Sequence, residues 1–209
     1  MSLRLAHALI PDEINRYWQA LGQFVSAFSA VEAAVQIALR HFAHVRDPIG
    51  AALFSGTRTE AAARYIRRIA EAEKWRDRRK NEIENVFGQL SLINQLRNDL
   101  LHYGARFEGA NKFSVSTAAV AHTENRVRKT TISVAILEAM AADLEKIEIH
   151  LLVLSRKRGE RVHPALRATL HASWQYKPTQ GPRSKAAPAS RSKGRFRRPA
   201  RVPKGRPKS

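Results

Sequence analysis

The sequence predicts an all-α fold: an antiparallel bundle of about four main helices, a short β or loop insert at about 105–132, and a disordered basic tail at 177–209. Two observations support this prediction. Apolar residues recur at alternating intervals of three and four along three long segments, which is the period of one helix face. The C-terminal segment has many cations and few apolar residues, so it cannot bury enough surface to order itself.

The first helix is predicted from a single helical stripe. Asp12 and Glu13 favour a helix N-terminus, and Asp47-Pro48 closes the segment. We therefore expect Trp18 in the core or at a dimer interface, and Glu32 as one acid in an apolar seam. The stripe comprises Ile14, Trp18, Leu21, Val25, Phe28, Glu32, Val35, Leu39 and Phe42.

Three more long helices are predicted. The second should begin at Thr57, because Thr57-Arg58-Thr59-Glu60 has the spacing of a capping box. The third should run from about Asp77 to about His102, and Ser133 should cap the fourth. Between the last two, β-branched and aromatic residues predict the insert. The stripe of the third helix is Ile83, Val86, Leu90, Ile93, Arg97 and Leu100, and that of the fourth is Leu137, Met140, Leu144, Ile147, Leu151 and Leu154.

The charge is concentrated at the C-terminus. The chain has 209 residues and a net charge of +19, yet residues 177–209 hold 12 Lys/Arg and no acid. We divide the chain into a helical bundle at 1–158, a short helical or loop extension at 159–176, and the tail. Flexible cations bind phosphate backbones without reading sequence, so we expect the tail to bind RNA, with DNA, an acidic protein face or a membrane as alternatives. The expected nucleic-acid contacts are Arg195, Arg197, Arg198, Arg201 and Lys204.

Several classes of protein are excluded or disfavoured. The absence of cysteine excludes disulfides and thiolate metal sites and suits a reducing compartment. No secretory signal is visible, and the longest uncharged run, Tyr17 to Val31, is shorter than a bilayer span. We expect a cytoplasmic protein that does not enter a membrane. His41 and His44 lack a third ligand at suitable spacing, and no P-loop or dinucleotide motif occurs, so we expect neither metal nor cofactor.

Polar residues crowd the end of the third helix in the stretch LRNDLLHYG. Arg97 interrupts the apolar stripe there, as Glu32 does in the first helix. A buried charge is costly unless paired, so we expect these two residues to lie close together. With about 100° per residue, Arg97, Asn98 and His102 fall along one edge of the helix. A guanidinium beside an imidazole suits phosphodiester cleavage: the imidazole moves a proton and the guanidinium stabilises phosphoryl charge.

These residues resemble the Arg-Asn-x-x-x-His signature of the HEPN superfamily, and the Glu32 segment FSAVEAAVQIALR resembles the acid-bearing first helix of some members. The resemblance covers about residues 13–158. It implies a helical bundle that often dimerises with two polar sites facing each other. It also implies a metal-independent endoribonuclease of toxin, defence or RNA-processing type, one that leaves a 2′,3′-cyclic phosphate. On this resemblance Arg97 and His102 match the catalytic pair, Asn98 the accompanying polar position, and Glu32 and Tyr103 are supporting residues.

Two functions remain open from the sequence. The first is this endoribonuclease, expected to form a homodimer, with an antitoxin protein as a further expected partner. The second is a non-catalytic dimerisation or partner-binding module whose basic tail binds nucleic acid. In that case Arg97, Glu32 and Asn98 would form a structural lock, and His102 would be a helix-terminal cation.

Overall fold

The computed structural model describes residues 12–109, 112–117, 129–156 and 163–178. The predicted all-α fold with a small β insert is confirmed, since the described chain is mostly helical with one three-stranded antiparallel sheet. Residues 179–209, and with them the five predicted nucleic-acid contacts Arg195, Arg197, Arg198, Arg201 and Lys204, lie outside the described residues.

Six helices and three strands occur in the described residues. Helix α1 spans Asp12–Phe42, α2 Asp47–Phe54, α3 Thr59–Ala72, α4 Asp77–Tyr103, α5 Val134–Leu154 and α6 Pro164–His171. Strands β1, β2 and β3 span Arg106–Gly109, Lys112–Ser116 and Lys129–Ser133. The short helix α2 falls where the sequence predicted only a break, because Pro48 occupies its first turn, where no amide hydrogen is needed.

The N-terminal half of α1 is rotated by one residue from the predicted stripe. Tyr17, Phe24 and Val31 are buried, whereas Trp18 is 59% exposed and Glu32 also faces solvent. Of the two places expected for Trp18, the core is therefore wrong, and a dimer interface stays a prediction. The physical reason is packing, because alanines share the buried face and let the helix press closely against α5 and α3. The buried residues of α1 are Tyr17, Ala20, Phe24, Phe28, Val31, Ala34, Val35, Ala38, Leu39 and Phe42.

Helix directions follow from side-chain contacts. The guanidinium carbons of Arg79 and Arg97 lie 5.2 and 4.9 Å from the ring centroids of Phe42 and Phe28, so α4 runs antiparallel to α1. Helix α4 is also antiparallel to α3 and α5, and α2 returns the chain so that α3 runs in the same direction as α1. The contacts that establish the directions of α3 and α5 are Arg67–Glu84, Asn94–Glu60, His150–Glu82 and Gln89–Asp143.

The predicted N-terminal cap is correct for α5 and wrong for α3. Ser133 caps α5 as predicted, its hydroxyl accepting from the Ile136 amide at 3.3 Å. The capping box at Thr57 is wrong, because α3 begins at Thr59 with Arg58 at the N-cap and no side-chain cap. The Thr57 carbonyl instead accepts a hydrogen bond from Nε2 of Gln36 at 2.6 Å.

The β insert forms a meander at the C-terminal end of α4. The strand order is β1-β2-β3, with antiparallel pairing throughout and an irregularity between Phe107 and Gly109. Phe113 of β2 is 3% exposed and stacks on Tyr17 of α1 with ring centroids 3.8 Å apart. Gly104 adopts φ +65°, a conformation that favours glycine, and ends α4 before β1 begins. The sheet is thereby held beside the last turn of α4.

The residues after α6 pack back onto the bundle through a buried carboxylate. Asp143 of α5 is 1% exposed and accepts from the backbone amides of Gln175 and Tyr176 and from Nε2 of Gln89, each at 2.8 Å. The same Gln89 nitrogen donates to the Tyr176 carbonyl at 2.9 Å. Asp143 and Gln89 therefore clamp the segment that leads into the basic tail.

Helix α1 is the one helix in the described ranges that is long and apolar enough to cross a membrane, judged by length and composition alone. Core helices of soluble proteins pass the same test, so this is weak evidence for a span. The buried face of α1 packs within the helical core, which is consistent with a soluble protein.

Candidate functional site

An open pocket of about 450 Å³ lies between α1, the start of α3 and the C-terminal turns of α4. It brings together four of the residues singled out from the sequence, Glu32, Arg97, Asn98 and His102. They converge although α1 and α4 are far apart in the chain, because α4 runs antiparallel to α1 and its C-terminal turns return to the middle of that helix. The full lining is Glu32, Arg58, Thr59, Glu60, Asn94, Arg97, Asn98 and His102.

Arg97 is half-buried and held on two sides. Its guanidinium carbon lies 4.9 Å from the centroid of the Phe28 ring, and its Nη1 donates to Oδ1 of Asn98 at 3.1 Å. A cation over an aromatic face and a hydrogen bond to an amide oxygen both restrict the guanidinium. Leu96, 7% exposed, takes the neighbouring core position. Arg97 thus reaches the pocket from the edge of the apolar seam.

Glu32 lies on the pocket wall but not in the seam. Because Val31 occupies the buried position of that turn, the Glu32 side chain faces solvent. No ion pair joins Glu32 to Arg97 within the described ranges. The two residues share the pocket as expected, whereas the expected buried pair is not formed.

The start of α3 supplies groups that the sequence had not indicated as part of a site. Arg58 brings a second guanidinium to the pocket, and Oε1 of Glu60 accepts a hydrogen bond from Nδ2 of Asn94. That bond ties the first turn of α3 to α4. A signal was available, since Thr57-Arg58-Thr59-Glu60 is a polar cluster at a helix start, but its spacing indicated a cap.

His102 and Tyr103 differ in their relation to the pocket. His102 is exposed and lines it, while Tyr103 lies outside the lining and is 36% exposed. With Arg97 at 0° and about 100° per residue, Asn98 and His102 fall at about 100° and 140°, whereas Tyr103 falls at about 240°, outside that arc. The two rings are tilted with centroids 6.3 Å apart.

The pocket places two guanidinium groups and two carboxylates around one imidazole. Arg58 and Arg97 are the cations, Glu32 and Glu60 the carboxylates, and His102 the titratable group. The described chain contains no group of three or more His, Asp or Glu side chains placed to hold a metal ion. The arrangement can bind a phosphate and offer an imidazole for proton transfer.

Comparisons with known proteins add nothing to this geometry. No protein-family model, no curated protein and no solved structure matches the chain.

Proposed function

We propose that the chain is a HEPN-like, metal-independent endoribonuclease of toxin, defence or RNA-processing type that acts in the cytoplasm. The observation that carries the proposal is the shared pocket: Arg97, Asn98 and His102 line one open groove with Glu32 from α1. The groove is accessible to solvent at His102 while the Arg97 guanidinium is held in place. A catalytic site needs both properties, since the reacting groups must be reachable and oriented before substrate arrives.

The proposed reaction is an internal transfer at an RNA phosphodiester. The imidazole of His102 takes the proton of the ribose 2′-hydroxyl, or gives one to the departing 5′-oxygen. The 2′-oxygen forms a bond to phosphorus as the bond to the 5′-oxygen breaks, so the products are a 2′,3′-cyclic phosphate and a 5′-hydroxyl. Arg97 stabilises the negative charge that develops on the non-bridging oxygens. Asn98 orients Arg97 through their hydrogen bond, and Arg58 supplies a second cation.

A homodimer is part of the proposal. Large apolar side chains are exposed next to His102 in the last turn of α4, where Leu101 is 49% exposed and Tyr103 36%, and farther along α1, where Trp18 and Val25 are 59% and 40% exposed. Exposed apolar surface of this kind favours association with another protein surface. A second copy would supply a second His102, so that one imidazole takes the proton and the other gives one. An antitoxin protein is the alternative occupant of this surface.

The test is cleavage of RNA in EDTA. We expect the wild-type protein to release fragments with 2′,3′-cyclic phosphate ends, and Arg97→Ala and His102→Ala each to lower the rate at least about 100-fold. Arg68→Ala and His44→Ala are matched controls, because both residues are exposed and lie outside the pocket. Equal cleavage by all five proteins, or cleavage that needs a divalent ion, would overturn the proposal.

A non-catalytic binding module is the second candidate. The observation in its favour is that Arg97 already has two partners, the Phe28 ring and the Asn98 amide, as a structural arginine would. This candidate predicts a folded, inactive protein whose binding to RNA or DNA depends on residues 177–209. Deleting that segment should then abolish binding and its dependence on salt, while Arg97→Ala leaves binding unchanged.

A further inference from the structure

A second open pocket, of about 830 Å³, lies at the other end of α4, where the first turns of that helix meet α5 and α6. It is separate from the Arg97 pocket: no residue lines both, and Asn85 and Arg97 lie about 18 Å apart along the axis of α4. Its lining is Arg78, Asn81, Glu82, Asn85, His150, Arg167, Leu170 and His171. Nothing in the proposed cleavage reaction uses these residues.

His150 lies on one wall of this second pocket, between a carboxylate and an aromatic ring. It is 8% exposed, its Nδ1 lies 3.3 Å from Oε1 of Glu82, and its ring centroid is 6.1 Å from that of Trp174. Because Nδ1 is engaged by the carboxylate, the imidazole is left with Nε2 for any further hydrogen bond. Among the residues that the structure describes, Nε2 has no hydrogen-bond partner.

The charge of the second pocket favours an anion. Arg78 and Arg167 are exposed, and neither forms an ion pair within the described part of the chain. The one carboxylate, Glu82, is engaged by His150; that hydrogen bond and, to a smaller extent, the charge of Arg78 lower the pKa of Glu82. Two guanidinium groups therefore face one carboxylate that already has a partner.

The remaining lining residues favour a polar ligand. Asn81 and Asn85 are exposed and can donate amide hydrogens, and His171 adds a second imidazole. Leu170 is the one apolar side chain in the lining. Guanidinium, imidazole and amide donors around one cavity match the acceptor oxygens of a phosphate.

We propose that this second pocket binds a phosphate group, carried either by a free nucleotide or by the backbone of an RNA strand. Arg78 and Arg167 bind the phosphate oxygens. Nδ1–H of His150 donates to the Glu82 carboxylate, so Nε2 donates to the phosphate when the ring carries both protons, as an imidazolium beside that carboxylate. The site does not depend on catalysis in the Arg97 pocket, so either proposal can fail without the other.

The test follows the imidazole signals of His150 by NMR in the full-length protein, assigned with His150→Gln. The probes are adenosine 5′-monophosphate, adenosine as the phosphate-free control, and a short RNA oligonucleotide. The test variant is the pair Arg78→Gln/Arg167→Gln. The matched control is the pair Arg16→Gln/Arg68→Gln, which removes the same charge from exposed arginines outside both pockets and keeps the tail.

We expect the monophosphate to move the His150 signals saturably and adenosine to leave them unmoved. The test variant should weaken this binding about tenfold or more, and the control pair should stay within about twofold of wild type. If the RNA displaces the monophosphate and shifts the same signals, the phosphate bound by the pocket is that of the strand backbone. If the monophosphate binds and the RNA does not displace it, the ligand is the free nucleotide. The proposal is overturned if neither phosphate probe moves the signals, or if the test and control pairs bind equally well.

Discussion

Removing the carboxylate of Asp143 should destabilise the fold strongly, because three donors depend on it. Asp143→Ala leaves the amides of Gln175 and Tyr176 and Nε2 of Gln89 without the acceptor that each has at 2.8 Å. An unsatisfied buried donor costs at least about 1 kcal/mol. The donors of Tyr176 and Gln89 are buried, whereas Gln175 is an exposed residue. Hydrogen bonds to a charged acceptor contribute about 1.5 kcal/mol or more each, so the two buried ones give a loss of about 3 kcal/mol in the free energy of unfolding.

Urea unfolding followed by circular dichroism measures this loss. With an m-value of about 2 kcal/mol/M, the midpoint of Asp143→Ala should fall by about 1.5 M urea relative to wild type. Glu145→Ala is the matched control, since it removes an exposed carboxylate from the same helix and introduces the same residue. The control should lie within about 0.5 kcal/mol of wild type.

The clamp also makes a local prediction. Asp143→Asn keeps the size of the side chain but offers one acceptor oxygen, so its loss of stability should fall between those of the wild type and Asp143→Ala. Backbone amides of Gln175 and Tyr176 should exchange with solvent faster in both variants, because the segment after α6 loses its anchor. A midpoint for Asp143→Ala equal to that of Glu145→Ala, with unchanged amide exchange, would refute the assignment of these hydrogen bonds.

Three further predictions concern the helix end, the second pocket and the candidate site. Gly104→Ala should lower the free energy of unfolding by about 1 kcal/mol, because φ at this position is +65°. Gly88→Ala should raise it by up to about 1 kcal/mol, because Gly88 lies in mid-helix with open space for a methyl group. Equal effects of the two substitutions in urea unfolding would contradict this. Glu82 has a lowered pKa, chiefly through its hydrogen bond to an imidazole, so its charged form stabilises the folded state at neutral pH and this stabilisation is lost as the pH falls below about 4.5. Wild type and Glu82→Gln should therefore differ in thermal midpoint at about pH 7, and the difference should shrink as the pH falls below about 4.5; a difference that does not change with pH would count against the pair. Arg97→Ala removes one cation–π contact and one hydrogen bond, so it should lower the free energy of unfolding in urea by about 1 to 2 kcal/mol. A loss of about 4 kcal/mol or more would indicate a buried charge pair instead.

The helices were the most predictable part of the protein. The third predicted helix, from about Asp77 to about His102, is α4 at Asp77–Tyr103, and Ser133 caps α5 as its position suggested. Both predictions depend on local chemistry, namely a periodic apolar face, a glycine at the C-terminus and a hydroxyl at the N-terminus. Such signals act within a few residues, so they can be recognised without knowing the neighbours in space.

Local signals could not decide which face of α1 is buried or at which residue α3 begins. Two overlapping stripes of α1 have helical spacing, one through Trp18 and Val25 and one through Tyr17 and Phe24, and only contact with α5, α3 and Phe113 selects the second. The start of α3 likewise depends on a distant residue, Gln36, which binds the Thr57 carbonyl.

The sequence by itself determined the helical architecture, the concentration of charge in residues 177–209, and the polar cluster at the end of α4, because each follows from composition or from spacing along the chain. Only the tertiary structure decided that Glu32 lines the same pocket as an exposed residue and that Arg58 joins it. The structure alone also decided that His150 and Arg167 line a second pocket. These groups come from different helices. Their proximity depends on the directions and rotations of those helices, which are set by packing across the whole core.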